Sequence, residues 1–304
     1  METRRIGSLE VSVVGLGCMN FGWRIDANET VKVVDAALDT GINFFDTADL
    51  YGKGQSEEFL GRALGRRRDD VLIATKFGLE MDADRKGARP AYVREAVEAS
   101  LQRLGTDRID LYQLHRPDPA TPIADTLGAL AELVRQGKVR EIGCSNFTVE
   151  QIREAAAAAQ GGANFVSVQN ELSLIHREPL QDVLPECALR GLAFLPYFPL
   201  ASGLLTGKYR RGQEPPERTR ASDHWGPDVF NDNNLMLVEK LIGFAQSRNH
   251  TLLDLAFGWL LMQPPVASVI AGASNADQVR ANAGAIGWPL TAADLTEIEQ
   301  ILAA

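Results

Sequence analysis

Asp46, Tyr51, Lys76 and His115 stand at or just beyond the ends of three short apolar runs, residues 43–47, 71–76 and 110–115. An ionisable group closing a buried run is costly, so its recurrence calls for a purpose. Singly, each has an ordinary structural reading: Asp46 or Lys76 as half of an ion pair, Tyr51 as a loop aromatic with a solvated hydroxyl, His115 as a strand cap. Together they make a coherent proton donor. A tyrosine hydroxyl, with a pKa of about 10, is a poor acid at neutral pH, but an adjacent ammonium lowers it. Lys76 would supply that charge, Asp46 would keep it protonated and oriented, and His115 would hydrogen-bond and position a substrate carbonyl. Such a constellation suits protonation of an oxygen on which negative charge develops, as when hydride adds to a carbonyl.

The three runs belong to a longer series. From residue 40 one unit recurs: an apolar or β-branched run, a polar loop, then a helix of 3.6-residue period closed by glycine. The runs lie at 43–47, 71–76, 110–115, 139–145, 165–170, 192–197 and 266–271, far enough apart for strands joined by returning helices and therefore parallel. Helices are predicted at 28–40 with Gly41 as the stop, from Pro90 to Gly105, at 124–136 before Gly137, at 149–159, 180–190, 235–246 and 252–262. Residues 6–14 read as a hairpin outside the repeat, and residues 285–290 as a weak eighth strand. The pattern implies a single domain, 1–304, built as a (β/α)8 TIM barrel with an N-terminal β-hairpin, an open doubly wound sheet being the alternative. In a β/α barrel the reacting groups stand at the C-terminal strand ends, where the four residues fall. Residues 210–234, rich in Pro, Arg, Asp and Asn, make a long loop whose charged stretch Glu214-Pro-Pro-Glu-Arg-Thr-Arg suits a lid.

Composition narrows the partners. With 304 residues, 45% of them hydrophobic, the chain can bury a large core, while 31 Lys plus Arg against 40 Asp plus Glu argue against nucleic acid or an anionic membrane. The longest apolar run, 252–262, is interrupted by Asp254 and Gly258 and is too short to span a bilayer. The N-terminus lacks the apolar core of a signal peptide, and Cys18, Cys144 and Cys187 are spread and odd in number, which fits a cytoplasmic location. The histidines have no metal-ligand spacing and no cysteines fall in CxxC register, so no metal is expected. Two glycine motifs are decoys. Gly15-Leu-Gly17-Cys-Met-Asn-Phe-Gly22 opens like a dinucleotide fingerprint but spaces its last glycine wrongly, and Gly203-Leu-Leu-Thr-Gly-Lys-Tyr is a residue short of a P-loop.

Asp46-Thr-Ala-Asp-Leu-Tyr51-Gly, Ala-Thr-Lys76, Leu-Tyr-Gln-Leu-His115 and Ile-Gly-Cys-Ser145-Asn146-Phe resemble, in order, the successive motifs of the aldo-keto reductase family, with similarity from Gly15 to about Gly287. The resemblance implies a barrel, NADP(H) bound in extended form without a Rossmann domain, and reduction of a small carbonyl substrate with Tyr51 as general acid beside Asp46, Lys76 and His115. It further assigns Ser145, Asn146 and Gln169 to the nicotinamide carboxamide and stacks Tyr197 on the ring, where Phe198 and Pro199 also admit a plain core reading. Cys18, Met19 and Asp46 would meet the cofactor near its reactive end. Pro199-Leu200-Ala-Ser202-Gly203 is similar to the segment covering the pyrophosphate, with Lys208 nearby.

Gly272, Ser274, Gln278 and Asn282 match the adenosine-phosphate segment, closest to the branch of bacterial general aldo-keto reductases and potassium-channel β subunits. Ser274 would start a helix and, with Arg220, face a 2′-phosphate. Ala281 replaces the family's usual Glu, and Gln278 an arginine of other branches. Phe21 and Trp23, with Met19 and Trp225, would line an apolar substrate mouth around Tyr51 and His115, barrel-floor packing or loop anchoring being the alternative for each. The expected enzyme, a monomer or homo-oligomer, reduces aldehydes and ketones; a cofactor-sensing regulatory subunit with incidental turnover is the alternative, disfavoured by His115, where that branch typically has Asn. A Schiff-base aldolase using Lys76 is disfavoured by the carboxylate and phenol that keep the lysine charged.

Overall fold

The computed structural model describes residues 1–159, 162–213 and 229–303. Strands β1 (Thr3–Ile6) and β2 (Leu9–Ser12) pair antiparallel as the expected hairpin. Eight parallel strands follow: β3 (Val14–Gly17), β4 (Phe44–Asp46), β5 (Leu72–Phe77), β6 (Ile109–Leu114), β7 (Val139–Ser145), β8 (Ser167–Gln169), β9 (Ala193–Phe194) and β10 (Val269–Gly272). Their order is β10-β3-β4-β5-β6-β7-β8-β9, each joined to the next by parallel pairing. At the other edge β9 bonds the segment that leads into β10: Phe194 N–H donates to Pro265 O at 2.7 Å, and Ala267 N–H to Phe194 O at 3.0 Å.

The eighth strand is not where the sequence pattern puts it. Residues 285–290 form no strand, and β3 takes the place, paired between β10 and β4. Its two glycines disguise it as a turn. Gly15 has no room for a side chain, since a Cβ there would lie 2.7 Å from Ile270 Cδ1 and 2.9 Å from Ser268 Oγ.

Helices α1 (Ala27–Asp39), α2 (Gln55–Leu64), α3 (Pro90–Leu104), α4 (Ile123–Arg135), α5 (Val149–Ala158) and α6 (Val183–Arg190) return the chain between strands. Beyond β9 come α7 (Asp232–Gln246) and α8 (Leu252–Leu261), and beyond β10 α9 (Ala276–Gly284) and α10 (Ala292–Ala303). Local signals set their ends. Asp26 caps α1 by accepting from Glu29 N–H, Pro90 opens α3 and left-handed Gly105 closes it, and Thr148 and Thr251 form capping boxes with Gln151 and Asp254.

An apolar floor lies inside the sheet. Ile6, Leu9 and Val11 of the hairpin cluster with Phe44, Ala74, Leu111, Ala193, Leu195, Ala267 and Ile270, all buried. Side chains alternate along a strand, so Asp46, Lys76 and Gln113, each two residues beyond Phe44, Ala74 and Leu111, share that inward face one layer nearer the C-terminal ends. The sheet thus stacks a polar layer on an apolar one.

Candidate active site

The polar layer is a buried charge network. Lys76 Nζ donates to Asp46 Oδ2 at 2.5 Å and to Thr47 O at 3.0 Å, and it lies 3.4 Å from Tyr51 Oη. Asp46 Oδ1 accepts two amide bonds, from Gln169 Nε2 at 2.9 Å and Gln113 Nε2 at 3.2 Å. The Tyr51 ring meets His115 edge to face, centroids 5.8 Å apart. Tyr51 is carried by a tight turn in which Gly52, Lys53 and Gly54 all have positive φ. Gly54 is required there, because a Cβ would fall 2.8 Å from Arg103 Cδ. The turn is anchored below: Ser56 Oγ donates to Cys18 O and shares a 2.8 Å bond with Thr47 Oγ1, while Glu57 accepts from Thr75 Oγ1 and Arg103 Nε, both at 2.6 Å.

Protonation follows from this packing. Burial pulls the Lys76 pKa down, but the Asp46 charge, the Tyr51 hydroxyl and their hydrogen bonds outweigh it, so the ammonium is held above its ordinary range. For Tyr51 the balance differs from the sequence-based expectation. Burial raises the phenol's pKa, and the opposing pull of Lys76 does not overcome it. The hydroxyl stays protonated at neutral pH. Burial, followed by the charges of Lys76 and Arg116, pushes His115 well below its usual range, leaving a neutral imidazole whose Nδ1 has no hydrogen-bond partner among the described residues.

From these groups a cavity of about 720 Å³ runs along the C-terminal strand ends to the start of α9. At the next strand ends Tyr197 Oη donates to Asn146 Oδ1 at 2.8 Å, Asn146 Nδ2 donates to His115 O and Ser145 Oγ, both at 3.0 Å, and Ser145 Oγ donates to Gln169 O at 2.7 Å. Asn146 holds φ of 62°, which aims its amide across the strand ends. Further along, Ser202 and Gly203, also at positive φ, bring backbone to the cavity beside Lys208.

Residues 13–303 match the sequence model of the Aldo/keto reductase family. The chain belongs to the aldo/keto reductase family. It is 36% identical to the aldo-keto reductase YhdN of Bacillus subtilis over 97% of this chain and 91% of that relative. It is 33% identical to a probable voltage-gated potassium channel subunit beta of Arabidopsis thaliana, over 99% and 97%. The solved glycerol dehydrogenase AKR11B4 of Gluconobacter oxydans superposes with a TM-score of 0.86 at 34% identity, covering 99% of this chain and 95% of that one.

The structure brings most of the family-matched positions to the cavity wall: Met19, Asp46, Tyr51, His115, Ser145, Asn146, Gln169, Tyr197, Phe198, Pro199, Leu200, Ser202, Gly203, Lys208, Gly272, Ser274, Gln278 and Asn282. Lys76 and Cys18 lie buried behind it. Phe21 is wholly buried in the core, and Trp23, 53% exposed, does not line the cavity but lies under Arg24, which does. Of the expected apolar mouth only Met19 lines the cavity among the described residues, beside Leu79, Arg116 and Glu171. Arg220, Trp225 and the proposed lid lie outside the described residues, except for the loop's ends.

Ser274 does not start the helix. Asn275 caps α9 by accepting from Gln278 N–H, and both the N–H and hydroxyl of Ser274 donate to Gln278 Oε1, a return bond that glutamine three residues after the cap can make. Sequence reasoning missed Gln113, Asn20, Arg24, Arg116 and Glu171. Only Gln113 carried a signal, a lone amide inside an otherwise apolar run.

Proposed function

We propose that this family member is an NADP(H)-dependent reductase of aldehydes and ketones, cytoplasmic and built as one closed (β/α)8 barrel over residues 1–304. The hydrogen bonds of Phe194 with Pro265 and Ala267 support closure. The cavity is large enough for an extended dinucleotide, with amide and hydroxyl donors at the reactive end and Lys208 beside a bare backbone cradle midway. NADP(H) over NAD(H) rests on Lys208, Arg220 and the 272–282 segment.

The observation that carries the reading is the contact of Lys76 Nζ with both Asp46 and Tyr51 Oη. Bound nicotinamide would supply the hydride. Asn146, Ser145 and Gln169 would orient its ring, with Tyr197 as the platform. Tyr51 donates its proton to the carbonyl oxygen as negative charge develops, Lys76 stabilises the phenolate left behind, and Asp46 holds Lys76 in place. Neutral His115 hydrogen-bonds the same oxygen and adds no positive charge of its own.

The test is NADPH oxidation over a panel of aldehydes and ketones with wild type and Tyr51→Phe. Turnover should fall by about 10²-fold or more in the variant while NADPH still binds. Equal rates in both proteins would remove Tyr51 from the mechanism. Tight NADPH binding without turnover in wild type would favour a cofactor-sensing subunit, the reading that the likeness to a potassium channel subunit keeps in view.

A further inference from the structure

Asp46 is held by more than its ion pair. Oδ2 faces Lys76, and Oδ1 receives two amide N–H groups, one from Gln169 and one from Gln113. The two glutamines differ in station. Gln169 lies on the cavity wall, where cofactor binding can draw on its amide, whereas Gln113 is fully buried and does not line the cavity. Its side chain sits on β6 two residues before His115, over the apolar floor at Leu111, and passes Gly143, where a Cβ would come within 3.3 Å of Gln113 Cγ. Its Oε1 is buried with no hydrogen-bond partner among the described residues. An unsatisfied amide oxygen in that position is destabilising, and an apolar residue of like size would remove the penalty. What the amide provides in return is the bond to Asp46.

We propose that Gln113 is a positioning residue of the reaction, which fixes the Asp46 carboxylate so that Oδ2 stays aimed at Lys76 whatever Gln169 does with bound cofactor. The proposal rests on the reductase reading above. Its chain of action is amide to carboxylate, carboxylate to ammonium, ammonium to the Tyr51 hydroxyl. Gln113 itself does not line the cavity and acts only through Asp46.

Three forms of the protein test it, wild type, Gln113→Met and Gln113→Glu, read by NADPH oxidation against pH. Gln113→Met removes the donor at constant volume, and kcat should fall roughly three- to tenfold with the NADPH dissociation constant, followed by fluorescence, little changed. Gln113→Glu keeps the shape. While protonated it can still donate to Asp46; once ionised it opposes a like charge. Its kcat should therefore gain a descending limb at lower pH than the one Tyr51 ionisation gives the other two forms, which a purely structural role would not produce. A further readout needs no turnover: the Tyr51 phenol, isolated by ultraviolet difference against Tyr51→Phe, should ionise at higher pH in both Gln113 variants as Lys76 loosens its hold. Variants with wild-type kcat, pH profile and phenol titration overturn the assignment alone. A wild type that binds NADPH and reduces no carbonyl overturns the reductase reading, and the phenol titration then decides the positioning role by itself.

Discussion

Asp49, two residues before Tyr51, is a buried carboxyl whose Oδ1 has no hydrogen-bond partner among the described residues. Burial and the neighbouring Glu57 raise its pKa from 3.8 to about 7, against the smaller pulls of Arg103, the Leu50 N–H and Lys76. The folded state therefore holds this proton more tightly than the unfolded chain. The resulting stability is fully present below about pH 4 and is lost as pH rises through about 7. Asp49→Asn is neutral throughout, so its melting temperature should gain on wild type between pH 5 and pH 8 by the equivalent of roughly 2 kcal/mol. Thermal unfolding of both proteins across that range measures it, and a gap independent of pH would show that Asp49 is already ionised in the fold. Asp46, Lys76 and His115 were legible because each closes an apolar run. Asp49 was not, and the lone amide of Gln113 inside its apolar run did not disclose its role, since the cost of a buried polar group depends on partners from α2, α3 and β4 that no local pattern reveals.

Helix α2 shows how an element far from the substrate can govern the site. It carries Ser56 and Glu57, which tie the Tyr51 turn to Cys18, Thr47, Thr75 and Arg103, and it packs closely on α3. The contact depends on Gly61, where a Cβ would sit 2.7 Å from Leu104 C and 2.9 Å from Leu104 Cα. Backbone cannot yield as a side chain can, so Gly61→Ala must push the helices apart, at a cost of about 1–3 kcal/mol. Gly128 in α4 is the control, for a Cβ there meets nothing within 4 Å. Gly128→Ala should stabilise by about 0.5–1 kcal/mol through helix propensity. Denaturant titration of the two variants compares them, and a harmless Gly61→Ala would contradict the close approach. Elements with strong local signals, such as the Pro90 opening and Gly105 close of α3, were readable in the sequence. Strand β3 was hidden by the very glycines that let β10 and β4 crowd against it.

The molecule as a whole separates stability from chemistry along the strand axis. Its hairpin covers one end of the sheet, where Ile6, Leu9 and Val11 complete the apolar floor, while every group assigned to proton transfer faces the opposite end. Asp46, Lys76 and Gln113 occupy the layer between, so the floor also keeps water from reaching the ion pair from below. Leu9 has no exposed surface, and Leu9→Ala should remove about 2–5 kcal/mol, the range for a buried leucine truncated to alanine. In a chain of this size that corresponds to a drop in melting temperature of roughly 3–8 °C. Because Leu9 touches none of the reacting groups, kcat at 25 °C, well below the transition, should stay within about twofold of wild type. The two readouts must part company. A variant that melts early yet turns over normally places the hairpin as a stability plug, whereas kcat falling in step with the melting temperature would mean that the floor transmits its strain through Phe44 and Ala74 to the charged layer, and the division by ends would fail.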